Sequence, residues 1–96
     1  MTNRYVAFRE LLIEWQQRDF SDFDPVESFF RSEIMTDERP DRLRFQVEMH
    51  RLVKLIKSDL EMLKASRSDL RSQSYLQKIQ TKWESLMEIC QVCIWF

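Results

Sequence analysis

The sequence predicts an all-α fold, a small antiparallel bundle of three to four helices, and three observations carry that prediction. The run from Leu76 to Cys93 places apolar residues at Leu76, Ile79, Trp83, Leu86, Cys90 and Cys93, in steps of three, four, three, four and three. Only a helix returns side chains to one face at that spacing, and a seam of this kind must be buried. The 96 residues include no glycine and two prolines, which excludes positive-φ hairpin turns and phosphate-cradling loops. Hydrophobic content of 44% with 32% charged residues suits long amphipathic helices and not a disordered chain.

Residues 1–96 read as a single helical domain, near the lower limit of size for a self-sufficient core. No apolar run approaches the ~18 residues that span a bilayer. The first ten residues are interrupted by charge, unlike a secretory leader. Cys90 and Cys93 lie one helical turn apart and make no disulfide framework, so a reducing cytoplasm is expected.

A first helix is predicted from about Asn3 to Arg18, with Tyr5, Phe8, Leu11, Leu12 and Trp15 as its stripe and Val6 and Ile13 on a second face. The acidic link 19–24 ends it. A second helix opens with Asp24 as N-cap, Pro25 in the first helical position and Glu27 completing a capping box. It carries Val26, Phe29, Phe30 and Ile34 and fades near Thr36. Pro40 begins a third helix that runs to about Ser66, with Phe45, Met49, Leu52, Ile56, Leu60 and Leu63 inward. His50, Lys54, Lys57, Glu61 and Lys64 form its solvated side. Leu43 and Val47 also fall there, and the second helix is expected to cover them. The polar stretch 67–72 joins this helix to a fourth, from about Ser72 to Val92 or beyond, as a long hairpin. The two-faced first helix and Trp95-Phe96 at the end suggest a homodimer.

Net charge is −1, but its distribution is uneven. Residues 19–41 hold eight acids against Arg31 and Arg39, net −6, whereas residues 42–82 hold ten bases against four acids, net +6. A dipolar chain of this kind suits a protein partner better than nucleic acid. The lysines Lys54, Lys57 and Lys64, and the acidic link with Asp22 and Asp24, are the candidate partner-binding residues.

Catalytic and metal readings find little. The Cys-x-x-Cys of Cys90 and Cys93 continues the apolar seam, away from the helix N-terminus that redox chemistry uses, and zinc would need further ligands. His50 with Lys54 one turn on is the pattern of a histidine phosphotransfer domain, the alternative function. Asp59 falls within the apolar stripe and needs a partner. Arg67, eight residues on, is the expected one, although an arginine of the first or fourth helix also qualifies. No cofactor and no enzymatic activity are expected.

The stretch Arg44-Phe45-Gln46-Val47-Glu48-Met49-His50-Arg51-Leu52, preceded by Phe29-Phe30, resembles the PatD family of small cyanobacterial proteins. Leu55-Ile56-Lys57-Ser58-Asp59 with Leu63, Ala65 and Arg67, then Trp83-Glu84-Ser85-Leu86 and Cys90, extend the resemblance over most of the chain. The acidic link and Ile94-Trp95-Phe96 have no counterpart in it. The resemblance implies a non-enzymatic regulator of heterocyst frequency and cell division that binds the tubulin-like division GTPase FtsZ and modulates its assembly.

Overall fold

The computed structural model describes residues 3–95. They form α1 (Arg4–Gln17), α2 (Asp24–Phe29) continuing into a π-helical turn (Phe30–Ile34), a 3₁₀ turn (Pro40–Arg42), α3 (Leu43–Ala65) and α4 (Asp69–Trp95). No strand occurs among the described residues, and the all-α bundle expected from the sequence is the observed fold. α3 and α4 run antiparallel: Asp59 meets Lys82 midway, and Arg42 meets the carbonyl of Cys93 at the far end. α1 also runs antiparallel to α4, with Arg9 bonded to Gln91 and the indole N–H of Trp83 donating to the Leu12 carbonyl at 2.8 Å. The body measures 44 × 22 × 20 Å.

α1 begins where the Asn3 side chain accepts the Tyr5 N–H at 2.8 Å. Tyr5, Phe8, Leu12 and Trp15 are buried in steps of three, four and three, while Val6 and Ile13 are half-buried. Its C-terminus is a Schellman closure made without glycine. The Phe20 N–H reaches the Trp15 carbonyl and the Asp19 N–H reaches that of Gln16, with Asp19 at φ 56°. Phe20 then packs its ring on Trp15 at 4.7 Å, the apolar contact this closure commonly carries. Phe20 and Asp22 also take positive φ, so the link bends sharply despite the absence of glycine. The link is neither a hairpin nor a phosphate-cradling loop, but lack of glycine does not keep it out of positive φ. Aspartate tolerates the left-handed region, and edge-to-face contacts with Trp15 and Trp83 hold Phe20 in it.

α2 differs from expectation at its start. The helix opens at Asp24 itself, and no side chain caps it. Pro25 does sit in the first turn, but Glu27 turns away to pair with Lys57 and Arg31 instead of closing a capping box. The π-helical turn follows, marked by the Met35 N–H on the Phe30 carbonyl at 2.9 Å. Val26, Phe30 and Ile34 are all buried at four-residue steps. In an α-helix each such step overshoots by about 40°. The wider π turn rotates less per residue and brings Ile34 back into line.

In α3, Met49, Leu52, Val53 and Ile56 are buried and Phe45, Leu60 and Leu63 are partly so. Leu43 and Val47, expected to lie under the second helix, are 62% and 63% exposed. α2 and its π turn are held instead on the neighbouring flank, by Phe30 against His50 and Glu27 to Lys57. α4 starts at Asp69, three residues earlier than expected, so the connector shrinks to residues 66–68. The Ser72 N–H bonds the Ser68 carbonyl, which begins the helix there. Ile79, Leu86, Cys90 and Cys93 form the buried seam, with Trp83 partly covered. Leu76 remains exposed, because α1 has given way to the link at that level. Trp95 occupies the last turn of α4 and is 80% exposed, and Phe96 lies outside the described residues.

Replacing Asp19 by glycine relieves a left-handed non-glycine residue. Its effect, net of the entropy glycine adds to the unfolded chain, is a stabilisation of about 0.5–1 kcal/mol. Urea unfolding checks this: the midpoint should rise with the slope unchanged.

Candidate functional site

The bent link and α3 enclose the clearest concavity that joins residues singled out by sequence, an open groove of about 440 Å³. That lies within the range of clefts that accept ligands. Its floor is apolar, from Phe20 and Phe23 of the link and Leu60 and Leu63 of α3. Trp15 backs the floor, meeting Phe20 edge-on at 4.7 Å and Phe23 at a tilt at 4.8 Å. The rim is charged. Asp19 and Asp22 are exposed there, while Phe20 and Phe23 beside them are covered.

Of the five candidate partner-binding residues, four line this groove: Asp22 and Asp24 on one wall, Lys57 and Lys64 on the other. The two charge blocks that looked like separate surfaces in sequence are thus opposite sides of one feature. Lys57 is not a free cation, because Glu27 holds it at 3.2 Å and also holds Arg31 at 3.3 Å. Lys54 lies apart, in a smaller depression of about 260 Å³ with His50, Phe30 and Arg31. There the His50 ring is half-buried and stacked on Phe30, centroids 6.1 Å apart.

Asp59 does find a cation, but not Arg67. Lys82 of α4 meets it at 2.5 Å, with both side chains largely covered. Arg67 falls in the connector beyond the end of α3, where it is exposed, so the eight-residue spacing no longer follows a helix face. The pair fastens α3 to α4.

Cys90 and Cys93 are buried, unbridged thiols. Burial pushes Cys90 up to about 12, with the neighbouring Cys93 adding to it, and burial raises Cys93 as well. Among the described residues no three His, Cys, Asp or Glu side chains gather in a way that would hold a metal ion. In the groove, the hydroxyl of Ser21 donates to the Arg18 carbonyl at 2.7 Å, and no base contacts it. The arrangement presents a charged rim over an apolar floor.

Sequence reasoning missed the buried polar network at the other end of the bundle. Asp37, its side chain only 3% exposed, accepts from the Tyr5 hydroxyl at 2.8 Å and from the Arg39 guanidinium at 2.7 Å. The Arg39 hydrogen bonds hold its carboxyl far below the usual range, with that of Tyr5 adding to them against the cost of burial. Burial and then Asp37 push the Tyr5 phenol well above its ordinary value. Gln46, also buried, donates to the carbonyls of Ile34 and Asp37, and Arg42 donates to that of Cys93 while lying over the Tyr5 ring. One signal was available: a tyrosine in a buried helical stripe needs a partner for its hydroxyl.

Comparison of the chain with protein-family models, with curated proteins and with solved structures finds no match. No helix among the described residues is long and apolar enough to cross a membrane.

Two outcomes follow from the titrating groups. Asp37 is depressed relative to an unfolded value near 3.9, so its contribution is present above about pH 4 and is lost as pH falls toward the folded value. Acid unfolding of Asp37→Asn should therefore show a shallower loss of stability below pH 4 than wild type. Cys90 is raised, so its contribution is whole below an unfolded value near 8.5 and is lost as pH climbs through about 12. Thiol titration of the native protein at pH 8 should leave Cys90 unmodified.

Proposed function

We propose that this chain is a non-enzymatic regulatory interaction module resembling PatD, acting on heterocyst differentiation and cell division by binding an FtsZ-like GTPase and modulating its assembly. The observation that carries the interaction reading is the groove. Among the described residues it sets Asp22 and Asp24, neither in an ion pair, beside an apolar floor backed by the core. The GTPase enters through the sequence resemblance, centred on 44–52 and 55–67. A module of this kind changes filament assembly by binding polymer and free subunit with different affinity. It works in the cytoplasm, where the division GTPase polymerises and where buried free thiols stay reduced.

The chain also self-associates as a homodimer in this reading, supported by the exposure of Trp95, Leu43 and Val47. The alternative, a phosphotransfer role for His50, rests on Lys54 beside the ring. The stacking of His50 on Phe30 supports it less well than a projecting ring would.

Co-sedimentation with FtsZ filaments tests the proposal. The chain should pellet with polymer and change the amount pelleted. Asp22→Lys/Asp24→Lys should abolish this, whereas reversal of Lys54, Lys57 and Lys64 should not. Failure of the wild-type chain to pellet sinks the GTPase reading, and phosphate transfer from a phosphorylated receiver domain that is lost in His50→Gln would establish the alternative. A solution mass near 11.8 kDa, not twice that, would rule out the dimer.

A further inference from the structure

We infer that the groove between the link and α3 receives a short basic segment of a partner protein, anchored by one bulky apolar side chain between its cations. This deepens the interaction reading of the same groove and does not depend on which protein supplies the segment.

The argument begins with the balance of charge around the groove. Among the described residues Asp19, Asp22, Asp24 and Glu61 line it with no ion pair, while Glu27 is already engaged by Lys57 and Arg31. The opposing cation without an ion pair is Lys64. Four free carboxylates against one free ammonium leave the rim net −3, although the chain as a whole is only −1. A rim of this sign draws a partner's cations.

Charge alone would accept any cation; the floor adds a second requirement. Phe20, Phe23, Leu60 and Leu63 form an apolar base under the carboxylates, and about 440 Å³ accommodates a large side chain with its neighbours. An aliphatic or aromatic side chain seated there removes apolar surface from water, worth roughly 1.5–3 kcal/mol for full burial. Cations on either side of it then meet the rim. Shape persists without the partner, because Trp15 backs the floor and the Schellman closure fixes the link. Little ordering remains to be done on this side when the segment docks.

The test uses the whole chain, isotope-labelled, and synthetic ten-residue peptides. One peptide places arginines on either side of a single central leucine. A second replaces arginine by glutamate, a third replaces leucine by serine, and spermine serves as a cation without an apolar anchor. The first peptide should bind saturably and move the amide resonances of Phe20, Phe23, Leu60 and Leu63. The glutamate peptide should leave them in place. The serine peptide and spermine should bind at least ten-fold more weakly. Asp22→Asn/Asp24→Asn should weaken the first peptide about ten-fold, and Glu10→Gln/Glu88→Gln, on exposed positions outside the groove, should not. Raising the salt should weaken it too. No binding, equal binding of the glutamate peptide, equal binding of the serine peptide or spermine, or equal loss in the two variants overturns the inference. The outcome separates from the GTPase experiment: peptide binding without pelleting leaves the groove standing and removes the GTPase, and pelleting without peptide binding does the reverse.

Discussion

A carboxylate almost sealed from water cannot stand alone, and the end of this bundle is organised around one. Asp37 is held by a phenol from α1 and a guanidinium from its own turn, while its carbonyl and that of Ile34 are taken by Gln46 of α3. Removing the Tyr5 hydroxyl or the Arg39 guanidinium would strip a nearly buried carboxylate of one of its two donors, which costs more than the bond contributes when intact. The network therefore acts as a register pin. It fixes α1 along its length, sets where the π turn stops, and starts α3 at the level where Arg42 meets the last turn of α4. Apolar contacts supply most of the driving force for folding, but they do not by themselves select one alignment of smooth helices over its neighbours.

The other half of the structure leans on α4, whose seam both α1 and α3 share. Trp83 is the contact common to two layers, since its ring reaches Phe20 of the link and its N–H reaches a carbonyl in the middle of α1. Where the seam loses its cover, at Leu76 and above, α3 and α4 continue as a bare hairpin closed by three polar residues. The groove lies at the boundary of these two regions, where the link crosses from α1 to α2 beside α3.

The periodic parts were legible in the chain. Steps of three and four identified α1, α3 and the α4 seam, and Pro40 marked the approach to α3 within a single turn. Less legible was whatever depends on backbone handedness or on atoms distant in sequence. A glycine-free link reads as one that cannot take positive φ, yet Asp19 does so in a closure that the sequence does not advertise. Asp59 was recognised as needing a cation, but a lysine 23 positions away took the place expected for Arg67. The groove was half visible: both walls were picked out as charged surfaces, and only the fold shows that they face one another.

The π turn has a consequence for how this chain tolerates change. Because residues 30–34 carry one more residue per turn than an α-helix would, the segment is already at an alternative winding. Inserting one more residue there would find no wider winding left to absorb it and would swing everything after it by about 100°. Ile34 would leave the core and Asp37 would lose Tyr5 together. Point substitutions on the outer side of that turn, at Arg31 or Ser32, leave the winding intact. Length, more than composition, is what this stretch has to keep.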